Sequence, residues 1–344
     1  MAKLMRVTSL VLLAGSLAAV ACSDSNEPEE VNPTAVSTGM ASLTGSFSSN
    51  VAFQSLRHLS AYFSFTAATR AAAALEAVLP SPASSPQRAL ASLALRGPAE
   101  TQALFPVDVL GKTFAWDAAQ GKYVVDLLAT GAPADGVRFR LYILNQSTHL
   151  PQVPLQVVGY VDLTDRSTVQ SEKLGVLVKY GTMTIADYVI TGTEATTSHT
   201  LEAQGYITDG TSRLDFDLAI TESQTQELVD YTVSSSNGYT ATLRTTETLA
   251  TGAMSIYWLV EKSGNSLEVS GNSTTSAINC QLKFNGVTVA TLTGSPSSPT
   301  VTGAGGRTFT TQDLAALQAI FESFNDLDSE IGGVFNPADL VFDF

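Results

Sequence analysis

The chain has 344 residues, enough for one large or two ordinary domains, and its formal net charge is −14. An acidic chain repels phosphates, so the composition argues against nucleic-acid binding and against electrostatic attraction to anionic lipid head groups. Only 15% of the residues are charged, so the surface is expected to be rich in hydroxyl groups rather than in ions.

The first 21 residues have the pattern of an export signal. Lys3 and Arg6 supply a positive start, and the apolar stretch from Val7 to Val20 is too short to span a membrane. Small residues then precede Cys22. This arrangement resembles a bacterial lipoprotein precursor, in which the cysteine is acylated and becomes the mature N-terminus. The resemblance implies a lipid anchor on Cys22. Because Ser23 rather than Asp directly follows that residue, the resemblance also implies passage to the outer membrane.

A second interpretation of the same cleavage site stays open. Ala19 stands where such precursors usually have Leu, and Ala19-Val20-Ala21 also suits the ordinary signal peptidase, which would release a soluble protein. Residues 22–44 are rich in Ser, Asn, Pro, Glu and Thr and contain few large apolar residues. They are predicted to form a disordered acidic tether between the membrane and a single domain over residues 45–344.

Residues 45–98 are predicted to form N-terminal helices. The helical pattern runs over residues 50–79, with Ser49 or Asn50 as the cap, and Pro80 stops it. A shorter helix follows Ser85-Pro86 and closes at Gly97-Pro98. The first helix has an apolar stripe at spacings of three and four, formed by Leu56, Leu59 and Phe63. Such a stripe indicates that the helix covers an apolar surface.

Residues 112–292 have the pattern of a long antiparallel meander. Its clearest part is residues 201–220, in which apolar and polar side chains alternate on both sides of Asp209-Gly210. Asn237-Gly238, Gly264-Asn265 and Asn285-Gly286 mark three more tight turns. The pattern predicts about 12 or 13 strands joined by hairpins, because no helical pattern interrupts them.

The C-terminal part is predicted to be a loop followed by a helix. Residues 295–306 are rich in Ser, Pro and Gly, and a helix is expected over residues 310–332, ending at Gly332-Gly333. The apolar tail beyond it is expected to pack on the domain. The fold class is therefore α+β and β-dominated: a large curved, half-barrel-like antiparallel meander covered by N-terminal and C-terminal amphipathic helices.

No pattern in the sequence predicts catalytic, cofactor or metal-binding residues. Asp215 and Asp217 share one face of a strand about 7 Å apart, but they belong to the exposed side of the hairpin. Cys280 alternates in phase with apolar neighbours and is expected to be buried. The three histidines are scattered over a predicted helix, a loop and a strand start: His58, His149 and His199. The lipidation site at Cys22 is the one site that the sequence predicts.

Two function classes remain after these exclusions. The order of elements and the export signal resemble those of envelope lipid carriers of the LolA/LolB and LppX/LprG kinds, which implies an apolar or lipid-like ligand between helices and sheet. The other class is a non-catalytic structural or interaction lipoprotein with a filled core. An apolar cavity between helices and sheet would favour the carrier.

Overall fold

The computed structural model describes residues 50–59, 63, 103–169, 171–295, 298–306, 308–310, 315, 327 and 331–341. The predicted export signal, Cys22, the predicted tether and most of both predicted helical regions lie outside these residues. Strand residues account for 59% of the described residues and helical residues for 10%, so the fold is β-dominated, as the sequence predicts.

The described strands form one large curved, unclosed sheet of 15 strands in the order β2-β1-β3-β4 and onward in sequence to β15. The strands are β1 Lys112–Asp117, β2 Lys122–Val125, β3 Gly136–Tyr142, β4 Val157–Asp165, β5 Glu172–Tyr180, β6 Met183–Ala195, β7 Ser198–Thr208, β8 Arg213–Ser223, β9 Gln226–Ser235, β10 Tyr239–Thr248, β11 Ala253–Lys262, β12 Asn265–Ser273, β13 Ile278–Phe284, β14 Val287–Ser295 and β15 Ser298–Gly303. From β3 to β15 each strand pairs antiparallel with the next.

The expected number of strands, about 12 or 13, was too low. The segment over residues 295–306 was expected to be a loop, but most of it forms β15, which pairs with β14 from Ala290↔Gly303 to Ser295↔Ser298. Its Pro299 argued against a strand because proline donates no backbone hydrogen bond. The position at the margin of the sheet removes that objection, since proline is tolerated in edge strands.

The first strands also depart from a simple up-and-down meander. β1 and β2 form the expected hairpin, but β3 pairs with β1 rather than with β2, and this pairing is parallel, from Lys112↔Val137 to Phe114↔Phe139. The segment over residues 126–135 therefore crosses from the end of β2 to the start of β3. The expectation that all connections are hairpins was wrong at this point.

The predicted tight turns lie between the expected strands. Asn285 and Gly286 both have positive φ angles, 47° and 78°, which the favoured two-residue hairpin turn requires. The turn between β11 and β12 is centred one residue earlier than expected, on Ser263 and Gly264. The pairing of β7 with β8 agrees with the predicted hairpin around Asp209-Gly210.

Helix α1, Val51–Arg57, begins as the sequence predicts and ends earlier. The Asn50 side chain accepts hydrogen bonds from the backbone N–H groups of Ala52 and Phe53 at 3.0 and 3.1 Å. The helix ends at its C-cap, His58, so Leu59 and Phe63 do not continue it. Both are nevertheless buried, and the Phe63 ring lies 4.7 Å from that of Phe139 on the buried face.

The C-terminal region remains helical beyond its predicted end. Gly332 has right-handed helical angles, the 3-10 turn Gly333–Phe335 follows, and helix α2, Asn336–Val341, continues from it. Glycine stops a helix when it takes a left-handed conformation, and Gly332 does not take one. The expected packing of the tail is confirmed for Phe335, Leu340 and Val341, which are buried; residues 342–344 lie outside the described part.

The two faces of the sheet differ throughout. Along β3, Val137, Phe139 and Leu141 are buried, whereas Arg138 and Arg140 lie on the opposite face, termed here the open face. Helix α1 packs on the buried face, where Ser55 Oγ accepts a hydrogen bond from the backbone N–H of Tyr142 at 3.1 Å. The C-terminal region reaches the same face, where the Tyr188 hydroxyl donates to the carbonyl of Val334 at 3.1 Å.

Candidate functional site

A groove of about 580 Å3 lies on the open face near the β2 margin of the sheet. Its floor is formed by β1, β3 and β4, and its wall is the segment that crosses from β2 to β3. The side chains that define it are Thr113, Leu128, Arg138, Arg140, Val157 and Tyr160. The parallel β1–β3 pair creates the groove, because the crossing segment must pass over the strands that it skips.

The floor is fixed by an ion pair between neighbouring strands. Arg138 and Asp162 are register partners, and the guanidinium donates to both carboxylate oxygens at 2.6 and 2.7 Å. The same guanidinium lies over the Tyr160 ring, 3.7 Å from its centroid. The hydrogen bond to Asp162 raises the pKa of Arg138, so the guanidinium keeps its charge, and the bidentate contact fixes its position.

Arg140, on the floor of the groove, has hydrogen-bond donors that remain available to a ligand. Its Nη2 atom lies 3.0 Å from Oδ2 of Asp126 in the wall, and 38% of its side chain is exposed. The Tyr142 hydroxyl also contacts it. A guanidinium carries five N–H groups, more than these two partners can accept, so Arg140 can bind an additional oxygen in the groove.

Asp126 joins the wall to the floor. One of its oxygens faces Arg140, and the other accepts a hydrogen bond from the backbone N–H of Leu128 at 3.0 Å. The backbone N–H of Asp126 donates in turn to the carbonyl of Thr113 at 2.8 Å. The position of the wall therefore depends on the Arg140–Asp126 ion pair, which a ligand can strengthen or replace.

Thr113 contributes a second polar group to the groove. Its side chain is only 2% exposed, and its hydroxyl oxygen has no hydrogen-bond partner among the described residues. A buried hydroxyl without a partner costs free energy. Thr113 and Arg140 both line the groove.

The rim of the groove is apolar. Leu127 and Leu128 in the wall are 87% and 94% exposed, and Val157 on the other side is 55% exposed. Single exposed aliphatic residues are normal on proteins, but a cluster beside a groove marks a contact site. The arrangement can therefore hold a molecule that has both an oxygen-rich group and an aliphatic part.

The structure brings together two histidines that the sequence separates by 91 residues. The rings of His58, at the end of α1, and His149, in the β3–β4 loop, are stacked with their centroids 4.3 Å apart. Burial lowers the pKa of His58, and the positive charges of His149 and Arg57 lower it further. His199 lies apart from this pair, on β7.

The other candidate residues, Asp215, Asp217 and Cys280, lie in surroundings typical of residues with a structural role. Asp215 pairs with Arg213 at 2.6 Å, and Asp217 lies 3.4 Å from Gln204 Nε2, so both are on the open face as predicted. Cys280 is buried, as expected, and burial raises the pKa of its thiol to about 11. The predicted lipidation site, Cys22, lies outside the described residues.

The groove itself was not predicted from the sequence. The alternation of Arg138 and Arg140 around Phe139 was available as a signal, but the position of the wall depends on the parallel pairing of β1 with β3. Nothing in the strand pattern indicates that pairing. The contact of Arg140 with Asp126 likewise joins residues whose proximity follows from the crossing segment.

The described residues contain no group of three or more His, Cys, Asp or Glu side chains arranged to hold a metal ion. None of the helices in the described part of the chain is both long enough and apolar enough to span a membrane.

Comparison with known proteins gives no relative from which a function could be transferred. No protein-family model, curated protein or solved structure significantly matches the chain.

Proposed function

We propose that the protein is a lipid-anchored, non-catalytic binding protein of the cell envelope that holds a small amphipathic molecule in the open-face groove. One observation carries the proposal: Arg140, with its unused hydrogen-bond donors, and the exposed Leu128 line the same groove of about 580 Å3. Its volume is within the range of small-molecule sites, about 300–1,000 Å3.

Each end of the groove has a distinct role in this proposal. The Arg140 guanidinium binds the oxygen-rich group of the ligand, because it has hydrogen-bond donors that the described protein groups do not use. Leu128 and Val157 cover the aliphatic part, whose removal from water contributes about 25 cal/mol for each Å2 buried. The Arg138–Asp162 pair is rigid and positions the floor.

The buried face supports a filled core rather than a second binding site around α1. Phe53, Leu56, Phe105 and Tyr188 are at most 2% exposed there. A structural lipoprotein without a ligand is the alternative, and the same filled core supports it.

Native mass spectrometry with lipid extraction, on protein purified from its own envelope, tests the binding function. We expect a co-purifying small molecule with the parent protein and its loss in Arg140→Ala. Arg244→Ala is the matched control, because Arg244 forms an exposed ion pair with Asp230 elsewhere on the open face. A parent protein without a co-purifying molecule would contradict the binding function and favour the structural alternative.

The anchor is tested separately by the intact mass of the mature protein. We expect a chain that begins at Cys22 and carries the additional mass of its acyl chains. In Cys22→Ala that mass is expected to be absent. A mature parent protein that begins at Cys22 without acyl chains would instead agree with cleavage by the ordinary signal peptidase.

A further inference from the structure

Exposed aliphatic side chains are concentrated in two loops that flank the groove. The first loop, residues 126–131, carries Leu127 and Leu128, and we call it the Leu127 loop. The second, residues 150–157, carries Leu150, Val153, Leu155 and Val157, and we call it the Val153 loop. Val153 is 70% exposed, and the other three of this loop are 37–55% exposed.

The two loops form one surface. Leu128 and Val157 both line the same groove, so the two loops border it together. The Val153 loop contains no charged residue, and the Leu127 loop contains only Asp126, whose carboxylate is directed to Arg140. An uncharged, apolar surface of this kind is unusual on a chain with a net charge of −14.

The N-terminal end of the fold lies beside this surface. Helix α1 spans seven residues, or about 10 Å, from its cap at Asn50 to the ring of His58. That ring stacks on His149, the residue that precedes the Val153 loop. The chain that comes from Cys22 therefore joins the fold roughly one short helix away from the Val153 loop.

We propose that the Leu127 loop and the Val153 loop insert into the surface of the lipid bilayer to which Cys22 is anchored. The proposal rests on the lipid anchor proposed above. The 27 residues between Cys22 and Asn50 can span at most about 100 Å, so the anchor keeps both loops close to the bilayer. At such an effective concentration a weak hydrophobic contact is sufficient for binding.

The chemistry of the surface selects the kind of lipid. An acidic protein is repelled by anionic head groups, and the loops add no Lys or Arg of their own. The contact is therefore hydrophobic, and zwitterionic phosphatidylcholine is a suitable probe. This orientation places the mouth of the groove at the lipid surface, so an amphipathic molecule can enter it from the outer layer of the membrane.

Flotation with phosphatidylcholine vesicles at millimolar lipid tests the contact. The mature chain that begins at position 22, with Cys22→Ala, has neither the apolar export signal nor an acyl anchor, so its partition measures the loops and does not depend on whether Cys22 is acylated. We expect measurable partition, lowered about tenfold or more by Leu127→Asp with Leu128→Asp, because two leucines no longer enter the lipid. Added 1 M NaCl should not weaken it.

Val287→Asp is the matched control. Val287 is 51% exposed, in the range of the Val153 loop residues, but it lies at the start of β14 beside a distant turn. Its substitution should leave the partition unchanged. Equal losses in the control and in the Leu127 loop variant, or no detectable partition of the Cys22→Ala chain, would overturn the proposal.

A spectroscopic measurement is independent of affinity. Both native tryptophans are buried, so a tryptophan introduced at a loop tip reports on that tip. We expect the emission of Leu127→Trp to shift to shorter wavelength with vesicles and to be quenched by brominated lipid, whereas Val287→Trp changes in neither respect. Quenching that is equal at both positions, or absent at both, would contradict insertion of the loops.

Discussion

The two faces of the sheet use the same strands for different purposes. On the buried face of β3, Phe139 is inaccessible and packs with its ring centroid 4.7–5.5 Å from three other aromatic rings. On the open face, the neighbouring Arg138 and Arg140 each pair with a carboxylate. The difference teaches that apolar contacts on one face hold the sheet together, and so the other face is available for polar and ligand contacts.

The ion pairs on the open face differ in how deeply their side chains are buried. They range from Arg138–Asp162, with side chains 18% and 11% exposed, to Arg244–Asp230, at 56% and 40%. Burial strengthens a charge pair and also raises the cost of losing one partner. Burial thus differs from pair to pair rather than along the sheet, since Lys283–Glu268 near the other end has side chains 27% and 21% exposed.

Substitution on the buried face should have the largest effect. Phe139→Ala removes a ring from a filled aromatic cluster and should lower the free energy of unfolding by about 3–5 kcal/mol. Leu228→Ala on the open face, where the side chain is 42% exposed, should change it by no more than about 0.5 kcal/mol. Urea titrations followed by circular dichroism measure both. Similar values would contradict the division of roles between the faces.

The difference in burial between ion pairs on the open face predicts the next largest effect on stability. Arg138→Met leaves the Asp162 carboxylate without its bidentate partner, at a cost of about 1.5–3 kcal/mol. Arg244→Met should cost about 1 kcal/mol or less, because that pair is in contact with water. Double-mutant cycles with Asp162→Asn and Asp230→Asn measure the two coupling energies. Equal coupling energies would show that burial does not determine the strength of these ion pairs.

The smallest expected effect is a dependence of folding stability on pH, which arises where the end of α1 contacts the β3–β4 loop. The pKa of His58 is lower in the folded than in the unfolded chain, so the unfolded chain binds more protons and stability falls with falling pH. The loss begins near the unfolded value of about 6.5 and is complete below the folded value.

The urea midpoint at pH 7.5 and 5.5 measures this effect, because carboxylates titrate below that range. His58→Gln should make the midpoint less dependent on pH. His199→Gln is the control, since that ring lies away from the pair on β7. A dependence that persists in His58→Gln would place the responsible group elsewhere.

Local patterns predicted most of the sheet because each strand from β3 onward pairs with its sequence neighbour. The alternation over residues 201–220 and the turn at Asn285-Gly286 each determine one local pairing, and the structure contains both. The Asn50 cap was predictable for the same reason, since its bonds reach only three residues ahead.

Features that depend on distant contacts were not predictable. β15 was missed because a strand rich in Ser, Thr, Gly and Pro is defined by its neighbour β14 rather than by its own residues. The helical chain continues through Gly332 to Gly333, where an added Cβ would lie only 2.7 Å from Arg57 Nε, so this close approach depends on a residue distant in sequence. The groove depends on the parallel pairing of β1 with β3, which no periodicity encodes.

The order of the strands has a consequence for how the protein folds. Because β3 to β15 pair in chain order, each strand can add to the preceding one through a short loop, which is entropically inexpensive. The hydrogen bond from Asn336 Nδ2 to the carbonyl of Arg57, 2.7 Å long, instead joins residues 279 positions apart. We therefore expect the sheet to assemble progressively from its N-terminal strands. Helices α1 and α2 are expected to meet last, after the final strand is in place.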